Sequence, residues 1–356
     1  MKTKTDKFEH PGGLYKLKQL TSAREKIRLR EQPYLSAYES LAKEADKCLL
    51  KPAQAVEDFN VPGYYIEPEG HIRMMGLLST DSWTAYSCAI AYQMTDGDRR
   101  SIYAEKAIST ISAWAETNRK TSNHDGDLAM ADSGIGLVLA AELMTDCKDW
   151  SDDKRRSFRS WLESVYLVSC VKIAPKQNNW GDWGIFGCLA SHYYLDDVKA
   201  LKEDVSRIAG RIDEAISSDG SMPHETGRGN NGIWYTYFAL APLTAACQIA
   251  YNSTGANLFS YKGRSGAGIE EALDYLLKYC REPRSWPHYS GNDLTLPNPA
   301  KWPGNLFEAM SVIYGRRDYE DWIRNSRPII YSGHHYAWTV PTLLRVDHVP
   351  DAGRSH

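Results

Sequence analysis

Long apolar runs are missing from this chain of 356 residues: nothing approaches the ~20 consecutive residues that a membrane-spanning helix needs. An excess of positive charge is missing too. The 42 Lys and Arg face 45 Asp and Glu, a formal net charge of −3, which excludes a nucleic-acid binder working by bulk charge. Neither nucleic acid nor membrane is expected as a partner. Phenylalanine is scarce, 7 against 22 tyrosines and 11 tryptophans. Aromatics with a polar edge suit a wet, extended groove better than a dry core. Paired cysteines are absent: Cys48, Cys88, Cys147, Cys170, Cys188, Cys247 and Cys280 stand far apart with no C-x-x-C, against a zinc ribbon or dithiol redox motif. Cys88, Cys188 and Cys247 lie among small and apolar residues, where a thiol acts as a small hydrophobe; bridges are expected only in an exported protein. The H-E-x-x-H, Gly-rich phosphate-loop and G-x-S-x-G patterns are missing as well, which removes three common hydrolytic and phosphate-handling chemistries.

Strand-like alternation is rare, and long segments space their apolar residues by three and four. The spacing predicts helix pairs: 83–94 with 102–116, 133–144 with 152–169, 183–194 with 198–216, 233–251 with 269–280, and 306–314 with 319–325. In each pair the first helix is apolar on most sides and must be buried on most sides, while the second has a charged face. Successive first helices begin about 50 residues apart, until a longer insertion before the last. That period defines a solenoid or a closed ring. The loops ahead of the first helices carry the histidines, aromatics and glycines, which favours an all-α ring, an α/α toroid (barrel), with those loops on one rim. No Pro/Gly/Ser linker divides the chain, so one domain over residues 10–350 is expected, with residues 1–9 loose.

Three stretches break the helical background. Asn178-Asn179-Trp180-Gly181-Asp182-Trp183-Gly184 offers carboxamide donors for an anionic oxygen and indole faces for sugar rings. An Asn or Asp helix cap over packed tryptophans is the competing reading. The run from Asp219 through His224, Glu225 and Arg228 to Tyr235 is a loop opening into an apolar helix, capped by Asn230 or Asn231. Tyr235 then falls in the first helical turn, where free N–H groups and Arg228 favour a phenolate; the phenol, ordinarily near ~10, is expected to be lowered. Tyr237 should face the other way. The stretch from Asn60 to Arg73 reads as a long loop, a lid that brings Tyr64, Tyr65, His71 and Arg73 to substrate, or else a plain surface loop. His124, in Asn123-His124-Asp125-Gly126-Asp127, is a further groove candidate, and Asn252 heads a single glycosylation sequon.

The Asn178-Asn179-Trp180 run and the segment from Asp219 through Arg228 to Tyr235 resemble the alginate lyase family of polysaccharide lyases. In that family an Arg precedes a Tyr by seven residues, after an Asp-Gly-x-x-Pro segment, with an Asn pair about fifty residues earlier; His10-Pro11-Gly12-Gly13-Leu14 also resembles the start of such domains. The resemblance implies an incomplete toroid and β-elimination on a 1,4-linked polyuronate, mannuronate-rich alginate or glucuronan, with no metal or cofactor. It further implies Tyr235 as base and acid, with Asn179, His224 and Arg228 neutralising the substrate carboxylate. Asn178, Trp180, Trp183, His124, Tyr64, Tyr65, His71 and Arg73 would bind sugar. The family histidine that follows the Asn pair is replaced by Trp180, and His224 is the expected substitute. A monomer acting on an anionic polysaccharide, secreted or periplasmic with its leader absent from this sequence, completes the expectation. Two other readings compete: a toroidal glycoside hydrolase with carboxylates drawn from Asp132, Asp182 and Glu225, and a non-catalytic polysaccharide binder.

Overall fold

The computed structural model describes residues 7–291, 294–333 and 335–350. Two helices precede the expected pairs, α1 (Leu17–Arg28) and α2 (Tyr34–Cys48). Next come α3 (Pro68–Met94) with α4 (Asp98–Thr117), and α5 (Gly126–Leu143) with α6 (Asp152–Trp161) and α7 (Leu167–Ile173). Then follow α8 (Asn179–Tyr194) with α9 (Val198–Ala215), and the short α10 (Pro223–Thr226). The last pairs are α11 (Gly232–Thr254) with α12 (Ile269–Arg281) and α13 (Gly304–Tyr314) with α14 (Arg317–Ile323). The all-α ring of helix pairs is what the molecule has.

Local chemistry explains several boundaries. The Ser151 hydroxyl accepts from the Lys154 amide at the start of α6, and Asp197 does the same for Ala200 at the start of α9. Gly255 and Gly315 end α11 and α13 with φ of 77° and 63°, the left-handed turn that glycine takes without steric cost. Helices α3, α5, α8 and α11 pack in succession as the inner wall and are buried along most of their length, with α4, α9 and α12 outside. Small residues permit the close approach. A Cβ at Gly184 would sit 2.5 Å from the backbone nitrogen of Ala174, so α8 lies against α7 only with glycine there.

Inner helices run parallel, and this places the site. The starts of α3, α5, α8 and α11 meet at one rim, where the Tyr64–Asp125, Asn179–Glu225 and Tyr65–Tyr235 hydrogen bonds join the segments around them. Their far ends meet at the other, where the Gln93 amide donates to the Leu143 carbonyl and Asn252 Nδ2 donates to the Gly13 carbonyl at 2.7 Å. That engaged carboxamide makes Asn252 a poor glycan acceptor, contrary to its sequon. The start of the chain seals this far end. His10 lies between Glu142 and Asp196, Phe8 stacks on Tyr193, and the Tyr193 hydroxyl donates to the Glu9 carbonyl. Of the loose end expected over 1–9, residues 1–6 lie outside the described residues, while Phe8 and Glu9 are tied down.

The C-terminal segment fills the middle of the ring, a role its sequence did not announce. The Tyr336 ring lies against Trp83 and Tyr86 of α3, and its hydroxyl donates to the Ser79 carbonyl. Trp338 Nε1 donates to Thr244 of α11 at 2.9 Å. Both rings are fully buried, each contributing roughly 1.5–3 kcal/mol by leaving water. All seven cysteines are buried free thiols.

Candidate active site

The loop from Asn60 is shorter than its sequence suggested, because Pro68 occupies the first turn of α3 and starts the helix there. His71 and Arg73 therefore sit on α3 rather than in the loop. A two-strand parallel pair, β1 (Asp58–Asn60) with β2 (Lys120–Ser122), ties the approach to α3 to the approach to α5. Asp125, buried just ahead of α5, then gathers the loop. Its Oδ2 accepts the Tyr64 amide at 2.8 Å and lies 3.2 Å from His71 Nδ1, while its Oδ1 is 2.6 Å from His124 Nδ1. The loop is thus pinned at Tyr64, and Tyr65 projects beyond it with 74% of its surface exposed.

Tyr65 meets Tyr235. Their hydroxyls share a hydrogen bond of 3.0 Å, and the Arg228 guanidinium stands 4.4 Å over the Tyr235 ring. Tyr235 is half-buried on the first turn of α11. The expected lowering of its pKa is reversed. Burial pushes the phenol up from 10.0, the Tyr65 hydrogen bond adds to this, and Arg228 only opposes them. Tyr237, two residues on, is buried and donates to Asn305 Oδ1 at 3.0 Å. Asn230 and Asn231 do not cap α11: their Oδ1 atoms accept instead from Ser290 and Thr295 of the following insertion.

Asn179 is buried at the start of α8. Glu225 of α10 holds it twice, accepting from its backbone amide at 2.6 Å and from Nδ2 at 2.8 Å. Burial raises the Glu225 carboxyl to about 7, with Asn179 opposing and Asp182 adding. Behind it, Arg211 makes a two-armed ion pair with Asp182 at 2.7 and 2.9 Å. Asn178 does not cap α8 with its side chain, and its Oδ1 is buried without a partner. Trp180 is half-buried, with Lys176 Nζ 5.4 Å from its ring and the His124 ring 6.2 Å away and perpendicular to it.

Two expected site residues are not arranged as expected. Trp183 has no exposed surface and packs against Phe238 and His335 in the core, so it offers no face to a sugar. His224 is exposed on α10 with no hydrogen bond, ion pair or ring contact among the described residues, so nothing orients it. His124 is the imidazole that stands beside Trp180. Arg73 is exposed on α3 and likewise unpaired among the described residues. Sequence reading missed Asp125 and the grip of Glu225 on Asn179, although Glu225 stands one turn ahead of Arg228 in the same loop.

The carboxylates offered for a hydrolase are all committed. Asp182 pairs with Arg211, Glu225 holds Asn179, and Asp132 is sealed in α5 with Ser133 donating to it at 2.9 Å. No group of three or more His, Cys, Asp or Glu among the described residues could hold a metal ion.

The fold and rim define a toroid built around a carboxamide, an arginine and a phenol. The family model for alginate lyase matches residues 39–286, more than half of the chain, and the chain belongs to that family. A polysaccharide lyase of Stenotrophomonas maltophilia (strain K279a) is 24% identical over 217 residues, 56% of this chain and 64% of that protein, so the match spans less than two thirds of that relative. An alginate lyase from Bacteroides ovatus superposes with a TM-score of 0.72 at 18% identity, over 90% of this chain and 96% of that one. Alginate lyase A1-III from Sphingomonas species A1 gives 0.73 at 16% identity, over 95% and 96%. The shared fold is the α/α toroid.

Proposed function

We propose that the protein is a polysaccharide lyase that breaks 1,4-linked polyuronates by β-elimination, acting on mannuronate-rich alginate or glucuronan outside the cytoplasm. The observation that carries this reading is Tyr235: a phenol at the rim, bonded to the lid through Tyr65 and covered by Arg228. Family membership and a tetrasaccharide complex of an A1-III variant support a sugar-chain substrate.

The C5 hydrogen of a uronate is barely acidic until the adjoining carboxylate is neutralised. Donors fixed in place before reaction do this best, since they need no reorganisation as charge develops. Asn179 is such a donor, held by Glu225, with Arg228 adding fixed charge. His124 takes the imidazole role expected of His224, because Asp125 orients its Nδ1 while Nε2 has no hydrogen-bond partner among the described residues. Four inner helices also direct their positive ends to this rim, which favours a polyanion despite a net charge of −3. As the phenolate, which Arg228 favours, Tyr235 takes the C5 hydrogen as a proton; the electrons left at C5 form the C4=C5 double bond as the C4–O4 bond breaks, and the phenol so formed gives its proton to the departing O4. One residue serves both steps when the two groups share a ring face, as in β-D-mannuronate and β-D-glucuronate.

An ultraviolet assay for unsaturated product tests this on polymannuronate, polyguluronate, glucuronan and a neutral glycan. Product from polymannuronate or glucuronan, and none from the neutral glycan, is expected. Saturated products would indicate a hydrolase, and binding without turnover a carbohydrate-binding protein.

A further inference from the structure

We infer that Glu225 is the positioning residue for Asn179, and that its ionisation sets which way the Asn179 carboxamide faces. The inference rests on the reading of Asn179 as the donor to the substrate carboxylate. A carboxylate only accepts, so ionised Glu225 turns the NH2 of Asn179 towards itself, as the 2.8 Å contact records, and fixes where the second N–H points. Once protonated, Glu225 can donate, and the carboxamide oxygen becomes an equally good partner. The amide then has two orientations, of which one is aligned for substrate.

The surroundings make this a real choice. Glu225 has no exposed surface, and Asn179 only 2%, so water does not replace a lost partner. Two charged groups face the carboxyl. Asp182 of α8 resists its ionisation and Arg211 of α9 favours it, each largely absorbed by the other. Burial leaves the carboxyl titrating at about 7, within the working range of an enzyme. Glu225 also links two parts of the site, because its carbonyl accepts the Arg228 amide at 3.0 Å while its side chain holds Asn179. A plain helix cap for α8 is the structural alternative, since the Asn179 amide is one of the free donors of that helix start.

Two measurements separate these roles. In the free wild-type protein, the side-chain amide NMR signal of Asn179, assigned by its loss in Asn179→Ala, is followed between about pH 5 and about pH 9. It should shift with a midpoint at about 7, and the shift should vanish in E225Q. A signal that stays still across that range in the wild type overturns the proposal whether or not E225Q folds. In turnover, E225Q should lose about 10–100-fold in kcat with KM changed less than about threefold, as for other removed orienting partners. Unchanged kcat with lowered stability would leave only the cap. If wild-type protein forms no unsaturated product from any polyuronate, the proposed function fails while the NMR titration still decides the role of Glu225.

Discussion

The two ends of the ring are built from similar residues and do opposite things. At the far end His10 sits between Glu142 and Asp196, Gly12 donates to Glu142, and Asn252 holds the Gly13 and Leu14 carbonyls. At the rim, His124 and His71 flank Asp125, Asn179 is held by Glu225, and Tyr235 meets an exposed Tyr65. Histidine, carboxylate, carboxamide and tyrosine recur in both. The difference lies in what covers them and which helix ends they face. The far end is plugged by the chain's own start and meets helix C-termini, whose partial negative charge suits a protonated His10. Burial pulls the His10 pKa down, yet the bonds and charges of Glu142 and Asp196 together lift it above 6.5. The rim is crossed by the loop ahead of α3, through the Tyr65–Tyr235 contact, and meets helix N-termini. Residue type alone therefore does not make a site; an open end and the field direction do.

Substitutions at the two ends should break the likeness. Tyr235→Phe should lower kcat by ~10³-fold while binding of a polyuronate oligomer, measured by calorimetry, persists. Asn179→Ala should cost ~10²-fold in kcat, the scale of one lost preorganised donor. Between the ends, Trp338→Ala should leave the site chemistry intact but cost ~3–5 kcal/mol of unfolding free energy, read by denaturant titration, because the plug loses its largest buried ring. At the far end, His10→Ala should leave KM unchanged and cost ~1–2 kcal/mol. That gap should be full below pH 6.5, the ordinary value for the unfolded chain, and should close as pH rises through the higher folded pKa.

Much of the fold was legible because the inner helices are apolar all round, a pattern only a twice-covered helix tolerates. The starts of those helices were not. Inner helices α3, α5 and α8 begin 4 to 15 residues earlier than apolar spacing alone indicated, since their first turns carry the polar site residues. The same fact misplaced His71 and Arg73 in the loop. Helices α1 and α2, and the C-terminal plug, had no repeat to announce them. At the site, the Arg228–Tyr235 spacing was readable, because both lie on one continuous segment. Asp125 with Tyr64 and Glu225 with Asn179 were not, since these contacts cross between successive inner-wall segments that only the packing of the helices brings together. The direction of the Tyr235 pKa was misread for a related reason: nearby charge shows in sequence, whereas burial does not.

The most direct test is a crystal structure of Tyr235→Phe soaked with a mannuronate oligomer. A uronate carboxylate should lie against Asn179 and Arg228, with its C5 hydrogen and O4 turned to the ring at position 235. An oligomer bound away from these residues, or one whose carboxylate points to solvent with C5 turned from position 235, would contradict the account.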